Sequence, residues 1–184
     1  MNFRDIALKL VLDNGYRDLC EVGVWRGELS RMLYPHARTL VCVDPWSALW
    51  NNFEPFLGVV KYDCTMGEPQ VTQADLNKMH DDLRRDLPGA LILRMPSSVA
   101  IKHIPDHSLD FVFIDAVHLR EFAEADVKAF EFSLRGGGML AGDDYCGEVK
   151  QAVDIWFDEA SDARECTFGT YGPVWWVKFE KESE

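Results

Sequence analysis

The stretch Leu19-Cys20-Glu21-Val22-Gly23-Val24-Trp25-Arg26-Gly27 decides the fold. A short apolar run that stops at a glycine, with a second glycine four residues on, reads as a strand turning into a helix. Leu40-Val41-Cys42-Val43, which stops at Asp44-Pro45, is the next strand, and its unbroken apolar character is that of a strand covered on both faces. Between them Leu29, Met32 and Leu33 mark a helix that begins near Gly27. Upstream, Phe3, Ile6, Ala7, Leu10 and Val11 form one helical stripe closed by Asn14-Gly15.

The same alternation continues downstream. Leu76, Met79, Leu83 and Leu87 form a helix ended by Pro88-Gly89, and strands are expected at Leu91-Leu93 and Phe111-Ile114. Leu119, Phe122, Ala123, Val127, Phe130 and Leu134 share one helical face, after which Gly136-Gly137-Gly138 leads into a strand at Met139-Leu140-Ala141. Val149, Ala152, Val153 and Trp156 define the last helix. Cys166-Thr167-Phe168 and Val174 to Phe179, joined by a tight turn at Tyr171-Gly172-Pro173, are too close for a crossover and must pair antiparallel. Strands alternating with helices give an α/β fold with helices on both faces of a doubly wound, mostly parallel seven-stranded sheet, ending in an antiparallel hairpin.

At 184 residues the chain buries roughly 70% of its unfolded surface. Nineteen basic against thirty-one acidic side chains leave a net charge of −12. That charge repels phosphate backbones and anionic lipid, so neither nucleic acid nor membrane is expected as a partner. The N-terminus lacks the pattern of a leader, and no apolar run is long enough to span a bilayer. The cysteines at 20, 42, 64, 146 and 166 are odd in number and form no CxxC pair. Reduced thiols and a cytoplasmic setting are expected.

In a doubly wound sheet ligands bind beyond the carboxyl ends of the strands, so the residues just after each strand carry the chemistry. Gly23 and Gly27 let the backbone approach a ligand, or simply turn the chain. Their spacing is GxxxG rather than GxGxxG, and Trp25 would crowd a pyrophosphate. Asp44, after the second strand, is placed to accept hydrogen bonds from both hydroxyls of a ribose. Ser97 and Ser98 offer hydroxyls where an adenine could lie, or a helix cap. Asp115 ends the fourth strand and Asp143-Asp144 the fifth. Three converging carboxylates need a cation, and oxygen ligation favours Mg²⁺; alternatively one of the pair caps the helix near Gly147.

Taken in order, Glu21 to Gly27, Val43-Asp44-Pro45-Trp46, Phe113-Ile114-Asp115-Ala116-Val117-His118 and Leu134-Arg135-Gly136-Gly137-Gly138 through Gly142-Asp143-Asp144-Tyr145 resemble a class I S-adenosylmethionine-dependent methyltransferase. The sub-pattern is similar to the small macrocin-type O-methyltransferases. The resemblance implies one methyltransferase domain over 1–184 with an aperiodic, aromatic-rich insertion at about 46–71. It implies that Glu21, Gly23 and Gly27 line the methionine and ribose end of the cofactor and that Asp44 holds the ribose. Trp46 or Ser97 would lie near the adenine, with Asp115 close to the cofactor as well. It further implies Mg²⁺ on Asp115, Asp143 and Asp144. His118, with Asp115, would be the catalytic pair, His118 standing where metal-dependent relatives carry a lysine.

Methyl transfer to an oxygen of a small-molecule acceptor follows as the expected function, with His118 as general base. A nicotinamide-dependent oxidoreductase is the alternative that the glycine loop and Asp44 leave open, and a non-catalytic cofactor-binding homologue is another. The aromatic stretch from Trp46 to Tyr62 reads either as a lid over the acceptor or as a homo-oligomer contact.

Overall fold

A computed structural model describes residues 1–47 and 71–181. The described strands are β1 (Asp18–Val22), β2 (Thr39–Val43), β3 (Leu91–Leu93), β4 (Leu109–Ile114), β5 (Leu134–Gly142), β6 (Cys166–Tyr171) and β7 (Val174–Phe179). The helices are α1 (Phe3–Asn14), α2 (Glu28–Leu33), α3 (Gln73–Asp86), α4 (Ser97–Ala100), α5 (Arg120–Glu131) and α6 (Gly147–Ala163). Most of the aromatic stretch expected to form a lid or a contact lies outside the described residues.

The strands form one sheet in the order β3-β2-β1-β4-β5-β7-β6. β1 to β5 pair in parallel, β7 runs antiparallel to β5, and β6 pairs antiparallel with β7. The expected architecture, including the C-terminal hairpin, is what the chain adopts. The order reverses between β1 and β4, so their C-terminal ends face the crevice where a ligand sits in this class of sheet.

All five residues of β1 are buried, the acids Asp18 and Glu21 included. Alternate residues serve two cores. Cys20, Val22, Val41, Val43, Val112 and Ile114 pack with Val127, Phe130 and Trp156 of α5 and α6. Leu19, Leu40, Cys42, Phe111 and Phe113 pack with α1, α2 and α3 through Ile6, Leu29 and Leu83. Cys20 and Cys42 are free buried thiols, in keeping with their expected core role.

Helix ends follow local chemistry. Asn2 and Asp5 form a capping box at the start of α1, and Gly15 closes it in the left-handed conformation (φ +69°). Thr72 and Asp75 do the same for α3. Among the described residues no helix is long and apolar enough to cross a membrane.

One boundary differs from the periodicity. Leu134 belongs to β5 rather than to the preceding helix, and the three glycines lie inside the strand rather than ahead of it. Leu109 pairs with Leu134 but Phe111 pairs with Met139, so β5 bulges against β4 across the glycines. The crowding explains the composition: a Cβ on Gly138 would lie 2.9 Å from the Arg135 carbonyl oxygen and 3.1 Å from that of Asp110.

Candidate active site

The C-terminal ends of the strands are tied by hydrogen bonds that extend the ladders past the sheet. Gly23 N–H donates to Val43 O (2.9 Å), Asp115 N–H to Val22 O (2.8 Å), Asp44 N–H to Leu93 O (3.2 Å) and Asp143 N–H to Ile114 O (3.2 Å). Gly23, Asp44, Asp115 and Asp143 are thereby placed along one rim. At Gly23 the backbone is left-handed (φ +88°), and a Cβ there would stand 1.9 Å from the carbonyl oxygen of Asp115. The glycine loop and the end of β4 therefore touch, main chain against main chain.

Asp44 organises the loop from the other side. Its Oδ2 accepts the Trp25 N–H (2.9 Å) and its Oδ1 the Trp46 N–H (2.7 Å). Both tryptophans have positive φ (+51° and +41°), a conformation that must be held in place by such contacts. Burial raises the Asp44 carboxyl above its ordinary value, opposed by backbone N–H groups of Trp25, Trp46 and Val24. The Trp46 indole is enclosed at 1% exposure, donates Nε1–H to Trp25 O (2.8 Å) and meets the His80 ring edge-on. It props the glycine loop from within the core.

Glu21 points into the α2 side of the sheet, fully enclosed. It accepts a hydrogen bond from the Ser30 hydroxyl, which also lies 3.3 Å from Cys42 Sγ. Burial pushes its carboxyl up to about 8, with Asp115 and Asp44 adding to the effect and Ser30 opposing it. A folded value above the unfolded one means that the folded chain holds the extra proton between about 4.5 and 8. Stability from this group is thus fully present at acid pH and declines as pH rises through that window. Glu21→Gln keeps the shape and a Ser30 partner without the titration. Its unfolding free energy should gain on that of the unaltered chain as pH rises from about 5 to 8.5, by up to roughly 5 kcal/mol, read from denaturant curves. Parallel pH profiles would show that Glu21 ionises freely in the folded chain.

Ser97 is the first residue of α4; Pro96, not a serine, occupies the cap position, and no side chain caps the helix. Its hydroxyl acts on Asp126 of α5, an acid only 6% exposed that burial pushes up to about 6. Asp126 and Ser30 escape a reading by strand ends because both sit inside helices. The one sign of Ser30 is a polar residue between the inward-facing Leu29 and Leu33.

Beyond β4 and β5 the chain brings Asp115, His118 and Asp144 together. Nε2 of His118 lies 3.3 Å from Asp115 Oδ1, and Nδ1 lies 3.3 Å from Asp144 Oδ2. With a carboxylate at each ring nitrogen the His118 pKa is raised, chiefly by the Asp115 bond and next by the Asp144 charge, against the effect of burial. Among the described residues, these three offer ligand atoms that all lie within 4.8 Å of one another.

This cluster of ligand atoms holds two of the expected three aspartates, Asp115 and Asp144, with His118 as its third member rather than Asp143. Asp144 has φ +54°, so the chain turns at the second acid, and Asp143 stays within charge-interaction range of Asp115, Asp144 and His118. Asp143 keeps a buried Oδ1 without a hydrogen-bond partner among the described residues, and burial raises its carboxyl. Neither acid caps α6, whose cap residue is Cys146. Asp115 and Asp144 could hold a divalent cation, for which a pair of carboxylate oxygens favours Mg²⁺, and His118 lies beside both.

Among curated proteins none matches the chain. Solved structures do. The O-methyltransferase NovP superposes with a TM-score of 0.65 at 19% identity, over 97% of this chain and 78% of that one. The O-methyltransferase from Bacillus cereus in complex with S-adenosylhomocysteine gives 0.61 at 14% identity, over 97% and 80%. Cofactor-bound Rv0187 from MTB gives 0.63 at 14%, over 97% and 80%. At these identities the likeness is one of fold. The family model described as a methyltransferase domain matches residues 20–145, which run from β1 through the Asp143-Asp144-Tyr145 turn. The chain belongs to this methyltransferase family and has the fold of a class I S-adenosylmethionine-dependent methyltransferase.

Proposed function

We propose that the protein methylates an oxygen of a small polar acceptor, with His118 as the general base and a divalent cation on Asp115 and Asp144. The observation that carries this reading is the backbone contact between Gly23 and Asp115. It supports the reading because the glycine loop, as the element that would hold the cofactor, lies against the acid that begins the Asp115–His118–Asp144 group.

Bound S-adenosylmethionine supplies a methyl group on a positively charged sulfur. Glu21, Gly23 and Gly27 would line its methionine and ribose end. Asp44 would take the ribose hydroxyls on lone pairs that its backbone N–H donors leave unused. The adenine is assigned to the Ser97 side, since Trp46 is occupied in propping the loop. The acceptor hydroxyl must give up its proton at or before attack. His118, with a ring nitrogen 3.3 Å from each of Asp115 and Asp144, would accept that proton, and the two carboxylates would hold the cation. The same cation would lower the acceptor's pKa and orient its oxygen.

Calorimetric titration with S-adenosylhomocysteine is expected to show binding, and titration with NAD none. Asp44→Ala should weaken S-adenosylhomocysteine at least about tenfold, because it removes the ribose acceptors and also unpins Trp25 and Trp46. Binding of NAD in place of S-adenosylhomocysteine would overturn the cofactor assignment. Undiminished affinity in Asp44→Ala would remove Asp44 from the site.

A further inference from the structure

Strand β6 forms one edge of the sheet, and its open side is unusually well suited to pair with another strand. The N–H of Glu180 donates to Glu165 O (2.9 Å), which sets the phase of the β6–β7 ladder. Bonded rungs fall at Thr167, Gly169 and Tyr171. The N–H and C=O groups of Cys166, Phe168 and Thr170 therefore point away from β7, and among the described residues no hydrogen bond reaches them.

Edge strands are commonly protected by charge, proline, a bulge or shortness. The other edge, β3, is three residues long and runs into Arg94. β6 is six residues long, Cys166-Thr167-Phe168-Gly169-Thr170-Tyr171, with no charged residue and no proline, and it pairs with β7 in unbroken register. Tyr145 and Phe157 pack against Phe168 from the sheet face and leave the edge open.

We propose that this edge is the contact surface of a symmetric dimer, in which β6 pairs antiparallel with β6 of a second copy about a twofold axis at Phe168. The outward groups are self-complementary in that arrangement: Phe168 faces Phe168 of the second copy, and Cys166 faces Thr170 in both directions. The register also keeps like charges at the edge apart. Each copy carries −12, yet the acid flanking the strand, Glu165, falls opposite Tyr171 of the other copy. The two Glu165 residues then stand about 20 Å apart along the strands, beyond the screening length of physiological salt. A contact of this size gives a reversible dimer at micromolar concentrations rather than a permanent one.

Sedimentation of the full chain from low to high micromolar concentration should shift its mass from 21.0 kDa towards twice that value. Thr170→Pro removes an outward N–H and blocks the edge without costing a β6–β7 bond. It should stay monomeric throughout, with an unchanged circular dichroism spectrum. A monomeric unaltered chain at every concentration overturns the proposal, and so does a Thr170→Pro protein that folds and still dimerises. Should that variant fail to fold, Thr170→Cys decides. The proposed register sets its new cysteine about 5.5 Å, Cα to Cα, from Cys166 of the second copy, within disulfide range. Mild oxidation should give a covalent dimer whose cross-linked peptide joins residues 166 and 170, and absence of that peptide overturns the register.

Discussion

Gly23→Ala is expected to lose more than about 4 kcal/mol of stability, or to fail to fold. Two independent penalties meet at this position. The backbone is left-handed (φ +88°), and the added Cβ would overlap the carbonyl oxygen of Asp115 at 1.9 Å. That oxygen belongs to backbone and cannot swing aside as a side chain would. Relief requires β1 and β4 to separate where the sheet order reverses, which is also where the glycine loop meets the Asp115–His118–Asp144 group. Gly15→Ala is the natural control. Gly15 has φ +69° but nothing within 4 Å of an added methyl, so its cost is conformational alone, about 1 kcal/mol. Urea midpoints measured on both variants separate overlap from strain. Equal losses would mean that the approach of Gly23 to Asp115 is not a fixed feature of the fold.

His118→Ala is expected to lower methyl transfer roughly 10²- to 10⁴-fold, the usual contribution of a positioned general base. Affinity for S-adenosylhomocysteine should change little, because the imidazole faces Asp115 and Asp144 rather than the glycine loop. Turnover would be followed as S-adenosylhomocysteine formed with a panel of small catechols and vicinal diols. Asp115→Ala in the same assay, with and without chelator, tests the cation. If Asp115→Ala behaves as the unaltered chain and chelator has no effect, no metal takes part. If His118→Ala stays within a fewfold of the unaltered rate, the base is another group.

The two predictions draw on different kinds of knowledge. The strands were legible because parallel strands buried on both faces leave unbroken apolar runs, as in Leu40 to Val43, and the glycines and acids after them stand out against that background. The bulge at Gly136 to Gly138 was not legible. A glycine cluster after a helical stripe looks like a turn, and only pairing with β4 shows that the strand has already begun.

The order of the strand-end residues along the chain determined the family and the fold, because local periodicity and turn chemistry act over a few residues and are written directly in the sequence. Tertiary structure decided which of those residues meet. His118 stands between Asp115 and Asp144, one ring nitrogen 3.3 Å from each carboxylate. Trp46 folds inward under the glycine loop, and Glu21 is held near neutrality by burial. Each of these depends on a direction or a dielectric environment that exists only once distant strands are side by side.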